Sequence, residues 1–139
     1  MRIGFLLTLA MITSLLGACA SQDPDAGSGD RNEVVATVLA RIEADLGKPV
    51  KFEVQTLNIA DGWALVDGTL QDTNGQPVDY RGTKFAQEAA NGTRSQRYNG
   101  LLKKTGPKWT ILEHAIGPTD VRWTDWKPNY SDAPTQIWP

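Results

Sequence analysis

Residues 50–71 read VKFEVQTLNIADGWALVDGTLQ, and this stretch decides the fold of the chain. Apolar and polar residues alternate on both sides of Asp61-Gly62, which is the pattern of two strands that each turn one face toward a core. The dipeptide Asp-Gly favours the two-residue turn that joins antiparallel strands. The stretch therefore predicts a β-hairpin with strands over residues 50–59 and 63–71.

The first predicted strand changes phase along its length. Phe52 and Val54 fall on even positions, whereas Leu57 and Ile59 fall on odd positions. A slip of one residue turns apolar side chains to the opposite face unless an extra residue is inserted in the strand. We therefore expect a β-bulge near residues 55–56, which would also help the sheet to curve.

The segment before the hairpin, residues 30–47, has the period of an amphipathic helix. Its apolar side chains recur on one stripe: Val34, Val35, Val38, Leu39, Ile42 and Leu46. Asp30, followed three residues later by Glu33, forms a capping-box pattern, and Gly47 before Lys48-Pro49 is a stop signal. We expect a helix that begins at Asp30 and packs its apolar face on a sheet.

Two further strands are predicted after the hairpin, at residues 96–104 and 108–116, with a brief helix over residues 83–90 before them. A helix ahead of about four antiparallel strands defines an α+β fold, in which a curled antiparallel sheet packs around an N-terminal amphipathic helix. By analogy of fold, a cystatin-like or nuclear-transport-factor-like wrapped sheet fits this order of elements.

The C-terminal tail, residues 117–139, is rich in aromatic side chains. Trp123, Trp126 and Tyr130 recur at helical spacing, and Trp138 is the last aromatic residue of the sequence. In one interpretation the rings complete the core against the sheet, because each of them buries a large apolar area. In the other they form an exposed surface that binds a glycan, a peptide or a partner protein, and Trp138 is then the best candidate for exposure.

The first 19 residues combine a positive start, an apolar run and a small-residue box that ends in cysteine. Arg2 precedes an almost wholly apolar run over residues 3–16, which ends in the box Leu16-Gly17-Ala18-Cys19. The run is shorter than the roughly 20 apolar residues that cross a bilayer, so it indicates a secretory signal. The LGAC box resembles the lipoprotein signal of bacteria. This resemblance implies that residues 1–18 are removed and that Cys19 is lipid-modified.

The same resemblance implies a location in the cell envelope. Because Ala20 and not an Asp follows Cys19, the lipoprotein sorting rule favours the periplasmic face of the outer membrane over that of the inner membrane. Residues 19–29 are small and polar and predict a flexible tether, which leaves residues 30–139 as a single domain. The alternatives are an ordinary cleavable signal with an incidental cysteine, and a cysteine that is buried in the core.

The composition excludes several classes of protein. One Cys and one His among 139 residues leave no disulfide framework, iron–sulfur cluster or thiolate zinc site. Lys+Arg number 14 against 16 Asp+Glu, and this balance does not fit a basic nucleic-acid-binding surface. We therefore expect no metal, cofactor or nucleic acid. The expected partners are the membrane, through Cys19, and an envelope protein.

A catalytic triad can be composed from Ser95, His114 and Asp120, but no glycines of a nucleophile elbow surround Ser95. Glu113 precedes His114 in a predicted strand, where neighbouring side chains point to opposite faces, so it cannot orient the imidazole. We expect His114 to be structural, and we assign no catalytic residue.

Leu101-Leu102-Lys103-Lys104, Trp109 and GPTDVRWTDW over residues 117–126 together form a second recognisable pattern. It resembles a segment of small, uncharacterised proteobacterial secreted proteins and lipoproteins, and the similarity covers residues 31–138. This resemblance implies no activity, cofactor or catalytic residue.

Three functions are compatible with the sequence. The favoured one is a non-enzymatic envelope lipoprotein that binds a protein partner, as an assembly factor or an inhibitor would. The alternatives are a module that binds a small ligand or a glycan, and an enzyme with an unidentified acid/base pair. An enclosed apolar pocket would favour the small-ligand alternative. A buried carboxylate or His114 with a shifted pKa in a cleft would favour the enzyme.

Overall fold

The computed structural model describes residues 24–139, with side chains described from Gly27 onward. Helix α1 (Pro24–Leu46) precedes strands β1 (Lys51–Ala60) and β2 (Trp63–Gln71), helix α2 (Ala86–Ala90) and strands β3 (Arg97–Thr105) and β4 (Lys108–Ile116). Helix α3 (Trp123–Trp126) and two 3-10 turns, Lys127–Asn129 and Thr135–Ile137, follow. The four strands described here form one open, curled antiparallel sheet in the order β1-β2-β3-β4, which confirms the predicted α+β fold.

The hairpin between β1 and β2 forms as the sequence predicts. Asp61 and Gly62 have φ angles of 51° and 76°, the left-handed values that a two-residue turn of this kind requires. The register of β1 against β2 shifts between Val54 and Thr56, which confirms the predicted bulge. Because of this shift, the apolar residues on both sides of the bulge pack into the same core.

The beginning of α1 differs from the prediction. The helix begins at Pro24, a residue type that is favoured at the first helical position because its missing N–H would have no helical partner there. Asp30 is therefore not a cap: its carboxylate accepts hydrogen bonds from Lys104 Nζ at 2.7 Å and from Trp109 Nε1 at 3.2 Å. These bonds hold the early turns of α1 against the sheet. The predicted tether is thus helical from Pro24 onward, and its first residues, 19–23, lie outside the described residues.

One face of the sheet packs against α1. Val34, Val38 and Ile42 are fully buried on the helix, which ends before Gly47, whose φ of 69° confirms the predicted stop. Their partners come from all four strands: Leu57, Ala64, Val66, Leu70, Tyr98, Leu102, Trp109 and Ile116. Because α1 contacts both β1 and β4, which are the two edges of the sheet, the strands curve around the helix.

The other face of the sheet is apolar as well, and the C-terminal tail covers it. On the sheet, Trp63, Leu65 and Leu101 form this second face. The tail places on it the buried side chains of Trp126, Ala133, Ile137 and Trp138, with Trp123 and Tyr130 partly buried beside them. The tail therefore forms a third layer, so that the sheet lies between α1 and the tail.

The location of the tail tryptophans decides between the two interpretations of the aromatic tail. Trp138 is only 8% exposed and Trp126 only 6%, so these rings complete the core, and Trp138, the best candidate for exposure in the other interpretation, is buried. The physical reason is the apolar second face of the sheet, which would contact water without these rings. Asn58 Nδ2 donates to the Ile137 carbonyl at 3.1 Å and holds the end of the chain on β1. Of the predicted binding surface, Trp123 and Tyr130 alone keep a partly exposed side chain.

A buried polar side chain joins the tail to the sheet. Asn99 is 1% exposed, and its Nδ2 donates to Asp67 Oδ1 at 2.8 Å while its Oδ1 accepts the Arg122 N–H at 2.9 Å. Asp67 also pairs with Arg97 at 3.1 Å. A buried amide is stable only when its polar atoms are bonded, so these contacts fix the point where the tail turns back over the sheet.

Replacing Ile137 by alanine tests whether the tail belongs to the core. Ile137 is fully buried, so Ile137→Ala should lower the free energy of unfolding by about 2–5 kcal/mol, because it deletes buried methyl groups and leaves a cavity. Gln136→Ala, at the exposed neighbouring position, should change it by less than about 0.5 kcal/mol. Urea unfolding measures both variants. Equal small losses would show that the tail does not contribute to the core.

Candidate functional site

A cleft of about 500 Å³ runs along the outer edge of β4. Residues 113–120 line it without interruption, from the end of β4 into the tail. One wall is formed by side chains on the α1 side of the sheet, Arg41, Asp45 and Lys84, and the other by tail residues, Asp120, Arg122 and Trp126. Because the two walls come from opposite faces of the sheet, the cleft passes along the edge of β4.

Asp45 is the centre of the charged wall on the α1 side. Its carboxylate lies 3.2 Å from Arg41 Nε, 3.2 Å from Lys84 Nζ and 3.5 Å from His114 Nε2, and its side chain is 17% exposed. Burial acts to raise the pKa of Asp45, but the hydrogen bonds from Lys84 and Arg41 outweigh it, so the pKa is lowered. Asp45 therefore stays ionised, and one carboxylate is shared by two cations.

His114 extends from β4 into this cluster. Burial lowers the pKa of His114, and Arg41 lowers it further, against the opposing effect of Asp45. Its Nδ1 is buried and has no hydrogen-bond partner among the described residues, and its ring lies 6.0 Å from the Tyr98 ring. Nε2 thus faces Asp45, and Nδ1 is buried. A His114 of shifted pKa in a cleft is the feature that would favour an enzyme, but Ser95, Asp120 and Glu113 are all bonded to other groups.

Arg94 closes the far end of the cleft. Its guanidinium donates to the Ile116 carbonyl, lies 4.2 Å from the centre of the Phe85 ring and faces Glu88 at 3.8 Å. Ser95, next to it, donates its hydroxyl to the Pro118 carbonyl. These contacts fix the loop before β3 against the start of the tail, so this end of the cleft is held by several independent bonds.

The residues considered for a catalytic triad are bonded to other groups. Ser95 is held by Pro118, and Asp120 accepts the Val121 N–H at 2.8 Å, so neither is bonded to His114. Glu113 accepts the Tyr130 hydroxyl at 3.0 Å on the tail side, whereas His114 meets Asp45 on the α1 side. The expectation that Glu113 cannot orient His114 is confirmed.

The cleft contains one residue of the binding surface that the sequence predicted. Trp126 lines it, whereas Trp123, Tyr130 and Trp138 are not part of its lining, and Cys19 lies outside the described residues. The cluster around Asp45 was missed because its members come from α1, the loop before α2 and β4. The only local signal was the spacing of Arg41 and Asp45 by four residues, which is typical of any solvated helix face.

Two searches of the described residues concern metals and membranes. Among residues 24–139, no group of three or more His, Cys, Asp and Glu side chains is placed to hold a metal ion. No helix in this part of the chain is both long enough and apolar enough to span a bilayer.

Comparisons with known proteins give no family for this chain. No protein family, curated protein or solved structure matches it. The resemblances of the LGAC box and of residues 31–138 therefore stay predictions.

The pKa of His114 can be tested by titration. We expect the imidazole to titrate below its ordinary value of 6.5, because burial and Arg41 disfavour its charged form. The unfolded chain then binds the proton at a higher pH than the folded chain does. Stability should therefore fall as the pH decreases from about 6.5 toward the folded pKa.

NMR of the imidazole carbons measures the pKa of His114, and thermal unfolding between pH 5 and 7.5 measures the change in stability. His114→Gln should reduce this dependence on pH over the same range. A folded pKa at or above 6.5 would contradict the arrangement of the cluster.

Proposed function

We propose that this chain is a lipid-anchored protein of the cell envelope that acts by binding a partner protein. Anchoring is supported by the LGAC box at residues 16–19, the apolar run before it and the position of Cys19 as the only cysteine. Two or three acyl chains on one cysteine hold a protein on a bilayer firmly, whereas a single chain gives only marginal binding. The sorting rule read from Ala20 favours the periplasmic face of the outer membrane.

The binding role is supported chiefly by one observation: both faces of the sheet are covered by the chain itself, and the cleft beside β4 remains as a concave, charged surface. Its walls are held by ion pairs and hydrogen bonds within the chain, so the surface is formed in advance. Preformed surfaces bind with a smaller loss of conformational entropy. An assembly factor or an inhibitor needs a surface of this kind.

A module for a small polar ligand is the second candidate. The volume of the cleft, about 500 Å³, falls in the range of ligand pockets, and Trp126 supplies an aromatic wall. Its lining carries seven charged side chains, however, and it is open along an edge strand, which suits a protein segment better than an enclosed ligand.

Replacing Cys19 tests the anchoring. Cys19→Ser should move the protein from the membrane fraction to the soluble periplasmic fraction or leave it with an uncleaved signal, and mass spectrometry should no longer find acyl groups. Ser21→Ala, two residues away, should remain acylated and membrane-bound. An unmodified sulfur in the wild-type chain, or a mature chain that begins elsewhere, would contradict lipidation.

Cells that carry the wild-type chain or Cys19→Ser also test the binding role. Crosslinking in intact cells should join the anchored wild-type chain to one discrete partner, and Cys19→Ser should reduce the yield because the protein is no longer held beside that partner. A chain that yields no discrete adduct under these conditions would favour the small-ligand alternative.

A further inference from the structure

The outer edge of β4 carries backbone groups that face the cleft. The Gly117 N–H donates to the Arg97 carbonyl at 2.7 Å, so the backbone of Gly117 points toward β3. In an antiparallel pair the direction alternates from residue to residue, and the pairing from Tyr98–Ile116 to Leu101–Glu113 is regular. The N–H and C=O groups of His114 and Ile116 must therefore point away from β3 and into the cleft.

Each edge of the sheet has one backbone carbonyl that is bonded by an arginine. On β1, Arg31 Nη1 donates to the Leu57 carbonyl at 3.1 Å, and Asn58 bonds to Ile137 of the tail. On β4, Arg94 occupies the carbonyl of Ile116. The cleft follows the last four residues of β4, 113–116, or about 14 Å of this edge.

The walls of this cleft carry more positive than negative charge. Four cations line it, Arg41, Lys84, Arg94 and Arg122, against the three carboxylates of Asp45, Glu113 and Asp120. Asp45 is shared by two of the cations. Arg94 and Arg122 are paired with Glu88 and Asp125 beside the cleft, so the positive surplus is confined to the α1 side. An incoming group of negative charge is therefore favoured on the α1 side of the cleft.

We propose that the cleft binds an extended acidic segment of a partner protein, which adds to the sheet as a fifth strand beside β4. The inference rests on the proposed binding function and names the class of partner. Backbone groups of the segment pair with the N–H and C=O of His114 and with the N–H of Ile116, whose carbonyl is already bonded to Arg94, as in other cases of β-strand addition. Side chains of a strand alternate between its two faces, so carboxylates at every second position of the segment lie on the side of Arg41 and Lys84.

Two other occupants fit this edge less well. The first is the N-terminal segment of the same chain. With the N-terminus at Cys19, residues 19–23 reach at most about 17 Å from Pro24, whereas Asp45 lies about 30 Å along α1 from that residue. A second copy of the chain, paired through its own β4, would bring the cations of the two clefts against each other. Like charges across an interface are unfavourable, so an acidic partner is preferred.

Binding of a model segment tests the proposal with the purified, isotope-labelled chain in detergent. The probe is an acetylated and amidated seven-residue peptide that alternates Val and Glu, and the control peptide alternates Val and Lys. The acidic peptide should shift the amide resonances of His114 and Ile116, and the basic peptide should not. Shifts confined to other regions, equal binding of both peptides or no binding at millimolar concentration would overturn the proposal.

Charge reversal tests the cations. The double variant Arg41→Glu with Lys84→Glu should weaken binding of the acidic peptide about tenfold, since each exposed ion pair is worth up to about 1 kcal/mol. The control variant, Lys51→Glu with Lys108→Glu, changes the net charge equally at exposed positions outside the cleft and should leave the affinity within about twofold. Equal weakening in both variants would mean a general charge effect and would contradict a specific site.

A proline at position 114 tests the backbone pairing. His114→Pro removes an N–H that points away from β3, so it should abolish binding, whereas His114→Ala keeps that N–H and should retain it. If His114→Pro does not fold, as judged by circular dichroism, N-methylation of the probe peptide removes the same pairing from the other side. Retained binding of the methylated peptide would overturn strand addition.

The proposal and the proposed function can fail separately. If the double variant Arg41→Glu with Lys84→Glu still forms the same crosslinked adduct in intact cells, the partner binds elsewhere and strand addition is wrong. The binding function would then stand.

Discussion

The structure depends on one constraint: the central sheet is apolar on both faces, and each face must be removed from water. α1 covers one face with a stripe of fully buried side chains, and the C-terminal tail covers the other with two buried tryptophans and Ile137. The order of the three layers, α1, sheet and tail, follows from this burial of apolar area. Specific polar bonds then fix the position of each layer, through Asp30 for α1 and Asn99 for the tail.

Because both faces are occupied, the exposed parts of the sheet are its edges. Arg31 bonds one carbonyl at the edge of β1, and the edge of β4 borders a charged cleft. Asp45 and His114 lie where α1 passes this edge. The ion pairs of Asp45 with Arg41 and Lys84 hold the wall of the cleft, and Nδ1 of His114 is buried. The proposed site is thus a consequence of how the two layers end at β4.

The sequence predicted the features that depend on local pattern. The hairpin at Asp61-Gly62 and the bulge before Thr56 follow from turn chemistry and from alternation, and both are confirmed. The start of α1 was misplaced because residues 24–29 have weak helix propensity, and the bonds of Asp30 to β3 and β4 that hold this end of the helix join residues far apart in the sequence.

The tail and the site illustrate the limit of such predictions. Composition alone could not decide whether Trp138 is buried, since an apolar ring fits either a core or a binding surface. The cluster around Asp45 joins three separate segments, so no spacing in the sequence reveals it. Prediction succeeded where neighbours in the sequence interact and failed where packing brings distant residues together.

Amide hydrogen exchange along β4 tests the central claim most directly, because it reports the direction of each N–H. The Ala115 amide faces β3 and should be protected, whereas the His114 amide faces the open cleft and should exchange about two orders of magnitude faster or more. Equal protection of His114 and Ala115 would show that the edge of β4 is already covered, and would contradict the open cleft on which the proposed site depends.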